Sequence, residues 1–121
     1  MGKFVIKKTG TGIKFDLKAG NGEVIATSEV YTTEDGCKNG IESVRTNASA
    51  MVEDQTAKPI QTISNPKFEI FADKGGEFRF RLKARNGSII AVSEGYKTKS
   101  ACENGIESVK KNAPGATVEK A

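Results

Sequence analysis

Apolar and polar positions alternate with a period of two along Ile13-Lys14-Phe15-Asp16-Leu17-Lys18, and again along Phe78-Arg79-Phe80-Arg81-Leu82-Lys83. That period describes a strand with one buried and one wet face. Phe4 and Ile6 alternate with Val5 and Lys7 ahead of a glycine-marked turn, which predicts an earlier strand. Asn21-Gly22 and Asn86-Gly87 follow the alternating stretches. Asn-Gly suits a two-residue hairpin turn, whose central positions need positive φ. A third strand is therefore predicted near Val24–Glu29 and Ile89–Glu94.

The period then changes. Cys37, Ile41, Val44 and Ala48 are spaced 4, 3 and 4, one apolar stripe of a helix. Thr33 and Thr98 stand at N-cap positions, and Glu34 and Asp35 suit a helix start. Lys110 and Lys111 suit a last turn, which Pro114-Gly115 stops. Asn47 and Asn112 read as helix ends. Gly40 and Gly105 fall inside the helix, where glycine costs about 1 kcal/mol relative to alanine; their recurrence predicts close approach of helix to sheet. A short fourth strand follows at Met51–Glu53 and Thr117–Glu119.

These elements come twice. With residues 13–48 written above 78–113, 21 of 36 pairs are identical, including Asn39-Gly40-Ile41-Glu42-Ser43-Val44 over Asn104-Gly105-Ile106-Glu107-Ser108-Val109. The first strand matches at an offset of 64, Phe4 over Phe68 and Ile6 over Ile70. The slip falls in glycine turns, where a change of length costs little. Two copies are too few for a solenoid. The chain reads as one pseudo-two-fold domain: repeat one 3–53, a proline-bearing connector 54–66 and repeat two 67–120. The fold class is α+β, two tandem β-β-β-α-β repeats in a mainly antiparallel sheet with both helices on one face.

The Asn-Gly hairpin, the Ser-Glu-x-Tyr after the third strand and the Asn-Gly-Ile-Glu-Ser-Val helix together resemble the YegP-like family of small bacterial proteins, over nearly the whole chain. The resemblance implies one continuous sheet whose last strands are exchanged, with Met51–Glu53 pairing in repeat two and Thr117–Glu119 in repeat one. It implies no biochemical activity.

Charge and composition narrow the function. No apolar run approaches the roughly 20 residues that span a bilayer. Lys3, Lys7 and Lys8 interrupt the start too early for a signal peptide. The expectation is a soluble, cytoplasmic monomer without membrane contact. The chain has no histidine, so Cys37 and Cys102 lack the usual base of a catalytic thiol and the usual fellow ligand of zinc. Both sit on the apolar stripe and read as small buried hydrophobes. No phosphate-loop or dinucleotide glycine pattern follows a strand. No cofactor is expected, and an enzyme would need a site that nothing in the sequence marks. The repeated carboxylates Glu29/Glu94 and Glu42/Glu107 read as local hydrogen-bonding groups rather than an acid–base pair.

The net charge of +4 is uneven: residues 1–57 carry 7 basic and 8 acidic side chains, residues 58–121 carry 12 and 7. Lys14, Asp16, Lys18 and Gly20 of repeat one become Arg79, Arg81, Lys83 and Arg85 in repeat two. This row is expected on the sheet face opposite Phe78, Phe80 and Leu82, with Glu69 and Phe71 sharing that face. Cations on an open sheet can grip phosphates by releasing counterions, although single-strand binders usually add exposed aromatics for stacking. The first reading is a non-enzymatic interaction module with an unassigned protein partner. The alternative is weak single-stranded nucleic-acid binding through Arg79, Arg81, Lys83 and Arg85.

Overall fold

The computed structural model describes residues 2–121. Repeat one holds β1 (Lys3–Lys8), β2 (Ile13–Lys18), β3 (Val24–Thr27), α1 (Glu34–Asn47) and β4 (Met51–Asp54). Repeat two holds β5 (Lys67–Ala72), β6 (Phe78–Lys83), β7 (Ile89–Val92), α2 (Lys99–Asn112) and β8 (Thr117–Lys120). The elements follow the predicted order. The last strand of each repeat runs one residue longer than expected, so Asp54 belongs to β4 rather than to the connector. No helix among the described residues is long and apolar enough to cross a membrane.

All eight strands form one sheet in the order β4-β5-β6-β7-β3-β2-β1-β8. The hairpin pairs are antiparallel. The last strands are exchanged and pair parallel: β4 lies on β5 of repeat two, and β8 lies on β1 of repeat one. The repeats meet at β3 and β7, where Thr27 opposite Val92 is the one register pair. That seam is short because each strand has four residues and soon leaves the sheet toward its helix.

The hairpin turns differ from expectation. Gly22 and Gly87 have φ of +89° and +86°, while no residue other than glycine has positive φ among the described residues. The Gly22 N–H donates to Ala19 C=O, and the Ala19 N–H donates to Glu23 C=O. The loop is thus a turn over Gly20-Asn21 followed by a positive-φ glycine, a three-residue connection with a bulge. The ladder shifts register beside it, at Leu17/Lys18 and Leu82/Lys83. Asparagine suits the turn for another reason: Asn21 Oδ1 accepts from the Glu23 N–H and Asn86 Oδ1 from the Ser88 N–H.

Both helices begin as predicted, with Thr33 Oγ1 accepting from Gly36 N–H and Thr98 Oγ1 from Ala101 N–H. Asn47 and Asn112 close the last turns by donating to the Ser43 and Ser108 carbonyls. The apolar stripes press Cys37, Ile41 and Val44, with Cys102, Ile106 and Val109, onto Phe4, Phe15, Leu17, Phe68, Phe80 and Leu82. Each helix lies across the seam: α1 touches β2 of its own repeat and β6 and β7 of the other, and α2 touches β6 and β3. The core is therefore common to both repeats. Phe4 meets Phe15 edge-on at 5.6 Å, and Phe68 meets Phe80 at 6.0 Å. Such pairs add about 0.5–1.5 kcal/mol each beyond area burial.

The mid-helix glycines have a specific cause. Tyr31 stacks on Phe15 and Tyr96 on Phe80, and each phenol slides under the helix. A Cβ at Gly40 would overlap the Tyr31 hydroxyl, and one at Gly105 would stand 2.5 Å from the Tyr96 oxygen. The same corner is fixed by serine: Ser28 Oγ accepts from the Phe15 N–H and donates to the Glu29 carbonyl, as Ser93 does for Phe80 and Glu94. Gly40→Ala and Gly105→Ala are each expected to destabilise by about 1–3 kcal/mol through overpacking, against the roughly 1 kcal/mol that alanine gains as a helix former. Urea unfolding checks this; an unchanged or raised midpoint would contradict it.

Candidate functional site

The outer face of the sheet, opposite the helices, carries the charged chemistry. Arg79, Arg81 and Lys83 project from it as the alternation predicts. Arg85 does not join them, because β6 ends at Lys83 and Arg85 lies in the exposed turn. The row is not an open cationic grip either. Arg79 Nε lies 2.8 Å from Asp73, Arg81 Nε donates to Glu69 at 2.6 Å, and Lys83 Nζ lies 3.5 Å from Glu69. Register is the physical reason: β5 sets Glu69 directly opposite Arg81 and Phe71 opposite Arg79. Phe71 faces out as expected, but the Arg81 guanidinium covers its ring at 4.4 Å.

The connector then closes over this face. Glu53 and Glu69 are 3% and 2% exposed, and Lys67 between them is buried. Lys67 Nζ reaches Glu53 at 2.7 Å and Glu69 at 3.3 Å. From the connector, the Ile63 N–H donates to Glu53 at 2.9 Å, and the Ile63 carbonyl accepts from Lys67 at 3.1 Å. Gln55 donates from Nε2 to Glu53. The bond from Lys67, then those from Gln55 and Ile63, hold the Glu53 carboxyl down at about 2. The bond to Glu53 in turn raises the Lys67 ammonium. Burial pushes the Glu69 carboxyl up, but the bonds from Arg81 and Lys67 outweigh it and leave it lowered. Sequence reasoning missed this network. Its signal was Lys67 and Glu69 sharing the face that also bears Arg81.

Repeat one offers the same positions uncovered. Strand register makes Glu119 the counterpart of Glu53, Lys3 of Lys67, Val5 of Glu69 and Asp16 of Arg81. Lys3 and Glu119 still pair, at 3.6 Å, but their side chains are 41% and 52% exposed. Asp16 accepts from Lys7 at 2.7 Å and from Thr27 Oγ1 at 2.8 Å. Lys14 and Lys18 of β2 make no ion pair among the described residues: Val5 stands where repeat two has Glu69 beside Lys83, and Thr9 where it has Asp73 beside Arg79. A shallow groove of about 290 Å³ continues this face across the seam, lined by Lys7, Lys14, Thr27, Arg79 and Val92 among others.

The other candidates have local roles. Cys37 and Cys102 are buried free thiols. Burial raises both, Cys102 to about 11, the opposite of what an activated nucleophile needs. Glu42 and Glu107 lie on the helix surface beside Arg45 and Lys110. Glu29 and Glu94 are exposed, and their neighbouring serines make the corner bonds instead.

The family model described as a domain of unknown function (DUF1508) matches residues 11–54 and 73–119. A UPF0339 protein of Bordetella pertussis is 43% identical over 115 residues, spanning 95% of this chain and 91% of its own length. A UPF0339 protein of Methanosarcina acetivorans is 62% identical over 52 residues, which is 43% of this chain but 90% of that protein. It is therefore a single-repeat relative. The solution structure of the Escherichia coli protein of unknown function yegP superposes with a TM-score of 0.79 at 38% identity, covering 98% of this chain and 91% of that one.

The paired sites form an internal control. Glu53→Gln is expected to cost roughly 3 kcal/mol, because it takes from buried Lys67 the nearer of its two carboxylates. Glu119→Gln, on the exposed pair, is expected to cost under about 1 kcal/mol. The depressed Glu53 carboxyl stabilises the fold fully above its ordinary value of 4.5 and loses that contribution as pH falls toward about 2. Urea midpoints should fall across that window, and less steeply in Glu53→Gln. Equal costs for the two variants would contradict burial of the first pair.

Proposed function

Because the chain belongs to the YegP-like UPF0339 family, whose members described above carry no assigned activity, we propose that it is a non-enzymatic binding module whose contact surface is the outer sheet face of repeat one. The supporting observation is the contrast between the two outer faces. Repeat two pairs its cations with Glu53, Glu69 and Asp73, and the connector covers Lys67. Repeat one leaves Lys14 and Lys18 without counter-charges among the described residues, and Lys7, paired with Asp16, half exposed. Unmatched cations on a rigid sheet attract anionic partners and speed encounter with them.

The partner lies outside the chain, and the protein acts as a monomer: a fused pair of repeats satisfies the interface that each would otherwise seek in a second copy. Single-stranded nucleic acid on Arg79, Arg81, Lys83 and Arg85 has less in its favour. Arg81 is bonded to Glu69 and stacked on Phe71, so neither the cation nor the ring is free for a phosphate or a base. An acid–base enzyme also has little support, since Glu53 and Glu69, whose carboxyls are lowered, are tied up in ion pairs.

Amide shifts titrated with poly-L-glutamate and with decathymidylate, at about 20 and 200 mM salt, test the surface. Shifts are expected on β1 and β2 around Lys3, Lys7, Lys14 and Lys18, weaker at the higher salt and lost in the double variant Lys14→Ser/Lys18→Ser. Shifts centred on residues 79–85, or indifferent to salt, would contradict the reading.

A further inference from the structure

The second repeat contains its own example of an occupied outer face. Ile63 of the connector is held by its main chain: its N–H donates to Glu53 and its carbonyl accepts from Lys67. The carboxylate and the ammonium are themselves paired at 2.7 Å, so donor and acceptor are preset. Such a clamp reads an extended backbone rather than a side chain, and it tolerates varied sequences. Strand register places the same two residue types, Glu119 and Lys3, at the equivalent site of repeat one, paired at 3.6 Å and uncovered. Duplication thus yields one clamp filled by the chain itself and one left exposed among the described residues.

We infer that repeat one takes an extended acidic peptide, held through its main chain between Glu119 and Lys3 as Ile63 is held between Glu53 and Lys67. This rests on the outer face being the contact surface and adds what that surface takes. Acidity follows from the cations that the pattern leaves over in repeat one. Glu69 supplies repeat two with a fixed anion that neutralises Arg81, Lys67 and Lys83. Val5 replaces it in repeat one, opposite Asp16 and diagonal to Lys14 and Lys18; Lys7 already pairs with Asp16, so Lys14 and Lys18 are left for carboxylates that the occupant brings. Val5 also gives the occupant an apolar contact at the centre, where repeat two has charge. The polar face of repeat two, by contrast, accepts a connector whose residues 55–64 include no acidic side chain.

The test uses the full-length protein and the acetylated amide peptide Glu-Glu-Thr-Ile-Ser-Glu-Glu, followed by amide shifts. Shifts are expected on β1, β2 and β8. Methylating the nitrogen of the peptide's isoleucine removes the clamped donor and is expected to weaken binding about tenfold, as is Glu119→Gln in the protein. The N-methyl peptide needs no change in the protein, so misfolding cannot imitate the result. Equal affinity for both peptides, with shifts still on β1 and β2, would overturn the clamp and leave the contact surface standing. Absence of shifts on that face with this peptide, poly-L-glutamate and decathymidylate alike would remove both. Decathymidylate binding the same strands more tightly than the peptide would overturn the peptide assignment.

Discussion

The exchange of last strands is the constraint on which the rest depends. Neither repeat completes its share of the sheet alone: β4 finishes the second repeat and β8 finishes the first. The direct junction between the repeats is thin, one register pair at Thr27 and Val92. What joins them is the exchanged strands at the two edges and the helices lying across the middle. The edges also carry a polarity that favours exchange. Lys120 of β8 lies 2.8 Å from Glu34 at the start of α1, and Asp54 of β4 lies 2.8 Å from Lys99 at the start of α2. Were each strand to stay with its own repeat, Asp54 would face Glu34 and Lys120 would face Lys99. Each surface pair is worth about 1 kcal/mol or less, yet the same groups penalise the unexchanged arrangement as well as favouring the exchanged one.

Within that frame the two repeats keep a common interior and differ on their outer faces. The helix-side core keeps Phe, Leu, Ile and Val at matched positions because both halves fill one shared interior. The outer face has no such common partner. There the connector settles on one repeat, turning a Lys–Glu pair into a buried, hydrogen-bonded network, while the matching pair on the other stays in water. The difference between the two outer faces therefore comes from the connector and from side-chain changes such as Val5 for Glu69, not from a change of fold.

Much of this was legible in the sequence. Period-two alternation identified β2 and β6, the Thr caps and apolar stripe identified the helices, and glycine inside both helices pointed to a close contact, which proved to be the Tyr31 and Tyr96 phenols. Exchange of the last strands came from family resemblance, not from the residues. The turn geometry was misjudged because Asn-Gly serves a three-residue loop as well as a two-residue one, and local sequence does not separate them. The pairing of the arginine row was not legible because alternation states which face a side chain takes, not what later covers that face. Glu69 opposite Arg81 depends on strand register, and the connector's return depends on tertiary path; neither has a periodic signature.

The most direct measurement of the account is native-state hydrogen exchange on a chain lacking residues 117–121. If β8 completes the other repeat, its removal should lower amide protection in β1 and β2 while β5 and β6, still covered by β4, keep theirs. Protection lost chiefly in β5 and β6, or unchanged throughout, would contradict strand exchange.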